Sequence, residues 1–529
     1  MKQFLRNPQL PSLNLLAVGA IAIALGACGG GGGEAAAIIA TDKGYVQGVN
    51  EPDMLKFLGI PYAAAPVGEL RWKAPAPATS WSGVRDASQY GSACPQAGGA
   101  FGPRSENENC LYLNVFAPKS NGPLPVMVWV HGGAFIYGDG SGTSYNPTKL
   151  IAKNVILVTL NYRLGAFGFL AHPALSAEQE GGSGNYGLLD QQAALGWVKT
   201  NIANFGGDPA NVTLFGESAG GYSVLAQVAS PLASNLFQKA IVQSGAYGLA
   251  STASLAAAHT GSLALGRFTG TTFGTRAGCT DQSLACLRGL SAVQILTAQA
   301  GGDPTPNIDN KVLTSTLATA FATGNFNRVP VLQGSNTDEY SLLSAARLDA
   351  TGTLISDANY MALINPPTLG KTVDNINTQY PRANYLTAAE VYDAVFTDVA
   401  FACPGRSAAQ LLSARVPTYS YEFNDRNAPM YILPAAMRPR WGAYHAGELQ
   451  YIFPTSANVT YTADQEALKT QMVNYWTQFA KNSDPNGTGP TWPLYTAAND
   501  TYMSLNPGTS SVSTDFSARH KCAGFWSAS

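Results

Sequence analysis

The stretch "VTLFGESAGGYSV", residues 212–224, runs from β-branched and aromatic residues into a string of small ones and sets Ser218 at the change. A strand that turns sharply into a helix needs small neighbours, because the residue at the bend takes an unfavourable φ/ψ and its flanks pack closely. Gly216, Gly220 and Gly221 supply that room, Leu214 and Phe215 end the strand, and the helix is expected to start at Ala219. The bare G-x-S-x-G pattern would arise by chance roughly 0.4 times in a chain this rich in Gly and Ser, so the context carries the reading. That context makes Ser218 a candidate nucleophile at a helix N-terminus, where backbone N–H groups point at a reacting oxygen.

A second stretch, "VWVHGGAFIYG" (128–138), places His131, Gly132 and Gly133 directly after a buried strand. Glycine amides free of side chains can approach a developing negative charge, and HGG is expected by chance only about 0.05 times. The expected oxyanion donors are the N–H groups of Gly132, Gly133 and Ala219.

A serine hydroxyl needs a base to become a nucleophile. The chain has five histidines: His131, His172, His259, His445 and His520. With the order Ser, acid, His expected of this architecture, only the last three follow correctly. His259 lies in an Ala-rich stretch and His520 beside Cys522, both suited to structural roles, whereas His445 in "WGAYHAGELQYIF" (441–453) sits among small residues suited to a loop. The acid should follow a strand end. "VPVLQGSNTDEYS" (329–341) gives a strand Val329 to Leu332 and then both Asp338 and Glu339, either of which is chemically adequate.

Around these motifs the chain alternates strand and helix signals. Apolar, β-rich runs occur at 126–130, 155–161, 212–215, 240–243, 329–332 and 418–423, with helical periodicity at 188–205 and 466–481. Continuous apolar strands alternating with helices predict an α/β architecture, a mostly parallel central sheet flanked by helices, in one domain spanning 36–529. Charged residues are only 12% of the 529, about half the usual share, and the net charge is -2. Nothing in that balance points to a nucleic-acid partner. The histidines and cysteines are scattered without zinc-site spacing, so neither metal nor cofactor is expected. The composition does not fix an oligomeric state.

The N-terminal stretch carries Lys2 and Arg6 ahead of an apolar run from Leu13 to Ala27, which reads as an export signal, residues 1–27. Its end, "LGAC", resembles the lipobox of bacterial lipoproteins and makes Cys28 the expected lipidation site, with a Gly-rich tether at 28–35. The chain is therefore expected to be exported and lipid-anchored to a bacterial membrane, the outer one by preference, on the periplasmic or cell-surface side. Setting Cys28 aside leaves Cys94, Cys110, Cys279, Cys286, Cys403 and Cys522. Six cysteines in an oxidising compartment allow fifteen pairings, of which 94–110, 279–286 and 403–522 is the simplest.

Taken together, "GIPYAAAPVGELRWKAP" (59–75), "ENCLYLNVFAP" (108–118), "HGGAF" (131–135), "NYRLGAFGFL" (161–170), "GNYGLLDQQAALGWV" (184–198) and "GDPANVTLFGESAGG" (207–221) resemble the type-B carboxylesterase family, which includes the cholinesterases and the bacterial para-nitrobenzyl esterases. The resemblance implies an α/β-hydrolase fold with Ser218 as nucleophile, Glu339 as the acid, because "TDEYS" matches the family at the glutamate, and His445 as base. It implies the same three disulfides, ion pairs joining Arg71 and Arg163 to Glu108, and supporting roles for Ser244 and Glu448. The expected reaction is two-step acyl transfer on a small-molecule ester, apolar or aromatic, with Phe135, Tyr137, Trp441 and Tyr444 either lining its pocket or packing the core. The same triad would serve a carbamate, an amide or a bulky ester such as a feruloyl ester, and some relatives are non-catalytic adhesion domains that lack a triad member. The loop from Cys94 to Cys110 holds no tryptophan, so the resemblance does not extend to a choline-ester specialist.

Overall fold

The computed structural model describes residues 37–141, 145–180, 182–249, 261–300, 304–348, 351–364, 369–455 and 459–526. Thirteen strands form one sheet. In spatial order they are Ala37–Thr41, Gly44–Asn50, Met54–Pro61, Tyr112–Pro118, Ile156–Leu160, Leu124–Val130, Gly207–Glu217, Lys239–Gln243, Val331–Asn336, Thr418–Phe423, Tyr502–Leu505 and Ser511–Ser513, with Val84–Asp86 paired to Gly44–Asn50. The run from Ile156–Leu160 to Tyr502–Leu505 is parallel throughout, and the strands outside it pair antiparallel at both edges, except Val84–Asp86, which runs parallel to Gly44–Asn50.

Side-chain alternation explains the two-sided burial. Along Leu124–Val130, Val126, Val128 and Val130 enter the core on one face while Met127 and Trp129 enter the core on the other. Ile156, Val158 and Leu160 against Leu157, and Val212 and Leu214 against Phe215, repeat the pattern. Each such side chain taken fully from water contributes about 1.5–3 kcal/mol. The first face is covered by helices Tyr186–Asn201 and Ala219–Ala229, the second by Ala463–Asn482. That last helix begins with a capping box: the Thr462 side chain accepts from the Gln465 N–H and the Gln465 side chain from the Thr462 N–H.

Two expectations need correction. The strand read at Val329–Leu332 runs instead from Val331 to Asn336. Pro330 has no N–H to donate, so the ladder gains its donors only from Val331, and it continues through polar residues paired up to Asn336–Phe423. Arg163 does not join Glu108. Its Nε and Nη2 donate to Asp190 at 2.8 and 2.7 Å, and its backbone N–H donates to the same carboxylate at 3.0 Å. Both oxygens of Glu108 are taken by Arg71, as expected for that residue. The bridges Cys94–Cys110, Cys279–Cys286 and Cys403–Cys522 are all formed.

Candidate active site

The strand Gly207–Glu217 ends in the middle of the sheet, and Ser218 follows with φ 56° and ψ -122°. A non-glycine residue pays a steric penalty there, and the surroundings enforce it. A Cβ on Gly220 would lie 2.0 Å from the Val130 carbonyl oxygen, and one on Gly216 would lie 2.6 Å from the same atom, so the turn is that tight. The Ser218 N–H donates to the Gln243 carbonyl at 2.9 Å, and its carbonyl accepts from the Tyr222 N–H at 2.8 Å. Helix Ala219–Ala229 starts where the sequence reading placed it.

Register brings the second motif alongside. Val130 pairs with Gly216, so His131–Gly133 continue beside Glu217 and Ser218. A Cβ on Gly132 would stand 2.8 Å from Glu217 Oε2 and 3.2 Å from Ser218 Cβ. Gly133 has φ +104°, and Ala134 and Phe135 are also left-handed at 55° and 63°. The carbonyl of Gly133 accepts from the N–H groups of Ile136 and Tyr137, and the buried His131, stacked on Tyr162 at 4.4 Å, donates from Nδ1 to the Gly132 carbonyl at 2.8 Å. Among the described residues no acceptor takes the N–H of Gly132, Gly133 or Ala219.

Glu339 follows the strand Val331–Asn336, just before helix Tyr340–Arg347. Its Oε1 accepts from Ser244 Oγ at 2.6 Å and from the Asn336 N–H at 2.7 Å, and its Oε2 accepts from His445 Nδ1 at 2.6 Å. Three donors fix a carboxylate that is wholly buried. The adjacent Asp338 is held elsewhere, by Arg426 and the Ala443 N–H. His445 Nε2 faces Glu217 Oε1 at 3.1 Å, and Phe401 packs on the ring at 5.1 Å.

Glu217 is the residue that sequence reasoning passed over. Burial, together with the charges of Glu448 and Glu339, pushes its carboxyl up to about 8 against the opposing pull of His445. Burial lowers His445, but Glu217, Glu339 and the Glu339 hydrogen bond outweigh it and hold the imidazole up to about 9. Glu448 is raised too, by burial and then by Glu339, although Asn336 Nδ2 and Gln243 Nε2 donate to it at 2.7 and 3.0 Å. Burial of neighbouring carboxyls thus disfavours the ionised forms of Glu217 and Glu448, with His445 opposing the effect at Glu217. The neighbouring "E" of "GES" was the available signal, but its burial among two other carboxyls was not.

The remaining histidines lie elsewhere. His172 pairs with Gln282, and His520 sits between Asp398 and Glu422. His259 and Cys28 lie outside the described residues. Phe135, Trp441 and Tyr444 are buried in core clusters, Phe135 against Phe169 and Tyr222, while Tyr137 is half-buried next to Phe101.

Residues 35–526 match the profile of the carboxylesterase family. The chain is 38% identical over 484 residues to a para-nitrobenzyl esterase of Bacillus subtilis, covering 87% of this chain and 92% of that protein. It is 37% identical to a fumonisin B1 esterase of Sphingopyxis macrogoltabida, covering 86% and 84%. A human cocaine esterase is 34% identical, covering 87% and 85%. A solved structure of a PNB esterase superposes with a TM-score of 0.75 at 36% identity, covering 92% of this chain and 98% of the other. An α/β-hydrolase sheet with a serine elbow, matched over nearly its whole length, places this chain in the carboxylesterase family as an ester hydrolase.

Proposed function

We propose that Ser218 is the nucleophile of this carboxylesterase, His445 its general base and Glu339 the acid that orients it. The observation that carries the reading is the Glu339 carboxylate, held by Ser244 and Asn336 and accepting from His445 Nδ1 at 2.6 Å. That bond sets the tautomer whose Nε2 can take a proton, and it stabilises the imidazolium that results. His445 removes the Ser218 proton as Oγ attacks the ester carbonyl. The N–H groups of Gly132, Gly133 and Ala219 hold the oxyanion, and His445 returns the proton to the leaving alcohol. Water then deacylates the enzyme by the same route. His445 Nε2 lies 3.1 Å from Glu217 Oε1, the carboxylate that precedes Ser218.

The substrates are apolar or aromatic esters. Support comes from the aromatic residues flanking both catalytic loops and from relatives named for para-nitrobenzyl, fumonisin and cocaine esters. The chain is exported and held to a bacterial membrane through lipid on Cys28, with 29–35 as tether. Support lies in Leu25, Gly26 and Ala27 ahead of that cysteine.

Hydrolysis of para-nitrophenyl acetate, butyrate and octanoate by the wild type and Ser218→Ala tests the reading. Turnover that disappears in the folded variant is expected, together with stoichiometric labelling of Ser218 by a phosphonate. Equal turnover by the two proteins would overturn it. Fatty-acid labelling that is absent in Cys28→Ser is expected for the anchor, and unchanged labelling refutes it.

A further inference from the structure

A cavity of about 550 Å³ has Asp338 and Trp441 in its wall, while Ser218, Glu339 and His445 are not among its lining residues. It is bordered by six basic side chains and four carboxylates, and two of the basic groups, Arg519 and His520, are paired to Glu422 behind the wall. Two of the arginines are more than half exposed. Arg426 donates from Nε and Nη2 to Asp338, and Arg440 donates from Nε and Nη2 to Glu390. Each fork thus spends one edge on its carboxylate, and Nη1 of both is left without an acceptor among the described residues. Beside these charges stand Leu354, which is 67% exposed, Met437 and Trp441. Guanidinium edges next to an apolar wall match a molecule with one carboxylate and a hydrocarbon or aromatic body.

We propose that this cavity binds an organic carboxylate, the class of acid the enzyme releases, and that occupancy slows catalysis from outside the active site. The inference rests on the carboxylesterase reading for its choice of ligand. The coupling runs through Asp338. Its Oδ2 accepts from the Ala443 N–H at 2.9 Å, and its own N–H donates to the Ala443 carbonyl at 3.0 Å. One residue further along the first loop and two along the second, the His445 N–H donates to the Glu339 carbonyl at 3.3 Å. Asp338 is therefore the outer clamp of the stitch that holds acid against base. A carboxylate that draws Arg426 toward itself competes with Asp338 for that fork and loosens the clamp.

The probe is 4-phenylbutyrate, with 4-phenylbutyramide as the uncharged control. Hydrolysis of para-nitrophenyl butyrate by the full enzyme is expected to show kcat falling at least fivefold at saturating carboxylate with KM unchanged, and no effect of the amide. In Arg440→Gln and Arg426→Gln, each scaled to its own uninhibited rate, the half-effect concentration should rise at least tenfold. Enzyme phosphonylated at Ser218 should still bind the carboxylate by calorimetry, since its active site is filled and the cavity is not. Purely competitive inhibition, binding abolished by phosphonylation, or inhibition indifferent to both substitutions would each overturn the proposal. Failure of the esterase reading itself would show separately, as absence of turnover and of Ser218 labelling.

Discussion

Gly132→Ala puts a methyl group where the structure has no space. The Cβ would stand 2.8 Å from Glu217 Oε2, 2.9 Å from the Glu217 carbonyl oxygen and 3.2 Å from Ser218 Cβ, all tighter than ordinary contact. The Glu217 carbonyl belongs to a strand paired on both sides, so the loop rather than the elbow must give way by some tenths of an ångström. Retreat carries the Gly132 and Gly133 N–H groups away from the oxyanion position. Loss of one such donor costs about 10²- to 10³-fold in kcat, or roughly 3–4 kcal/mol. The interaction is made in the transition state, so KM should change by less than about threefold. Gly132 does not have a left-handed φ, so alanine adds no backbone strain and the fold should survive. The assay is steady-state hydrolysis of para-nitrophenyl butyrate, with affinity for a trifluoromethyl ketone falling by the same factor as kcat. Gly196→Ala is the control: it lies in helix Tyr186–Asn201 with nothing within 4 Å of its Cβ, and should stabilise by about 0.5–1 kcal/mol without touching kcat. A Gly132→Ala enzyme whose kcat stays within about fivefold of wild type would refute the assignment of these amides to the oxyanion.

Glu217→Gln removes the carboxylate that faces His445 Nε2 and helps to hold its proton. Taking a negative charge from beside a cation lowers its pKa, so the acid limb of the kcat/KM profile should move down by about one pH unit; an upward move contradicts the reading. His520 is held up from 6.5 to about 9 because Asp398 and Glu422 overcome its burial. At about 1.4 kcal/mol per pH unit, this is about 3 kcal/mol of stability, fully present below pH 6.5 and lost as pH rises through 9. His520→Gln should abolish that loss, seen as a flat denaturation midpoint between pH 7 and 10 relative to wild type. Replacing both Cys403 and Cys522 by alanine opens a bridge spanning 119 positions and should cost about 2–5 kcal/mol in guanidinium unfolding.

The parts of this enzyme that could be read from its sequence are those where the backbone itself dictates the residue. Gly216, Gly220 and Gly132 are required because other backbone atoms lie where a Cβ would be, and that demand shows as a local run of small residues. Buried parallel strands show as unbroken apolar runs because both faces are covered. Partners between side chains leave no such mark. Arg163 could be given a carboxylate but not the right one, since Asp190 approaches it only after the intervening residues have folded back. Asp338 and Glu339 differ in sequence by one position and one methylene. What separates them is the turn after Asn336, which sends one to Arg426 at the cavity and the other to His445.

Glu217 shows the same limit in its strictest form. Beside a nucleophile, a lone glutamate would read as a solvated anion. Its actual state depends on Glu339, Glu448 and His445, which reach it from two distant loops. Enclosure with two other carboxyls disfavours its ionised form, while the imidazole of His445 pulls it the other way. The residue next to Ser218 therefore takes its chemical character from more than a hundred positions away, and the strand order that gathers those loops around one elbow sets its electrostatics as much as it sets the position of Ser218.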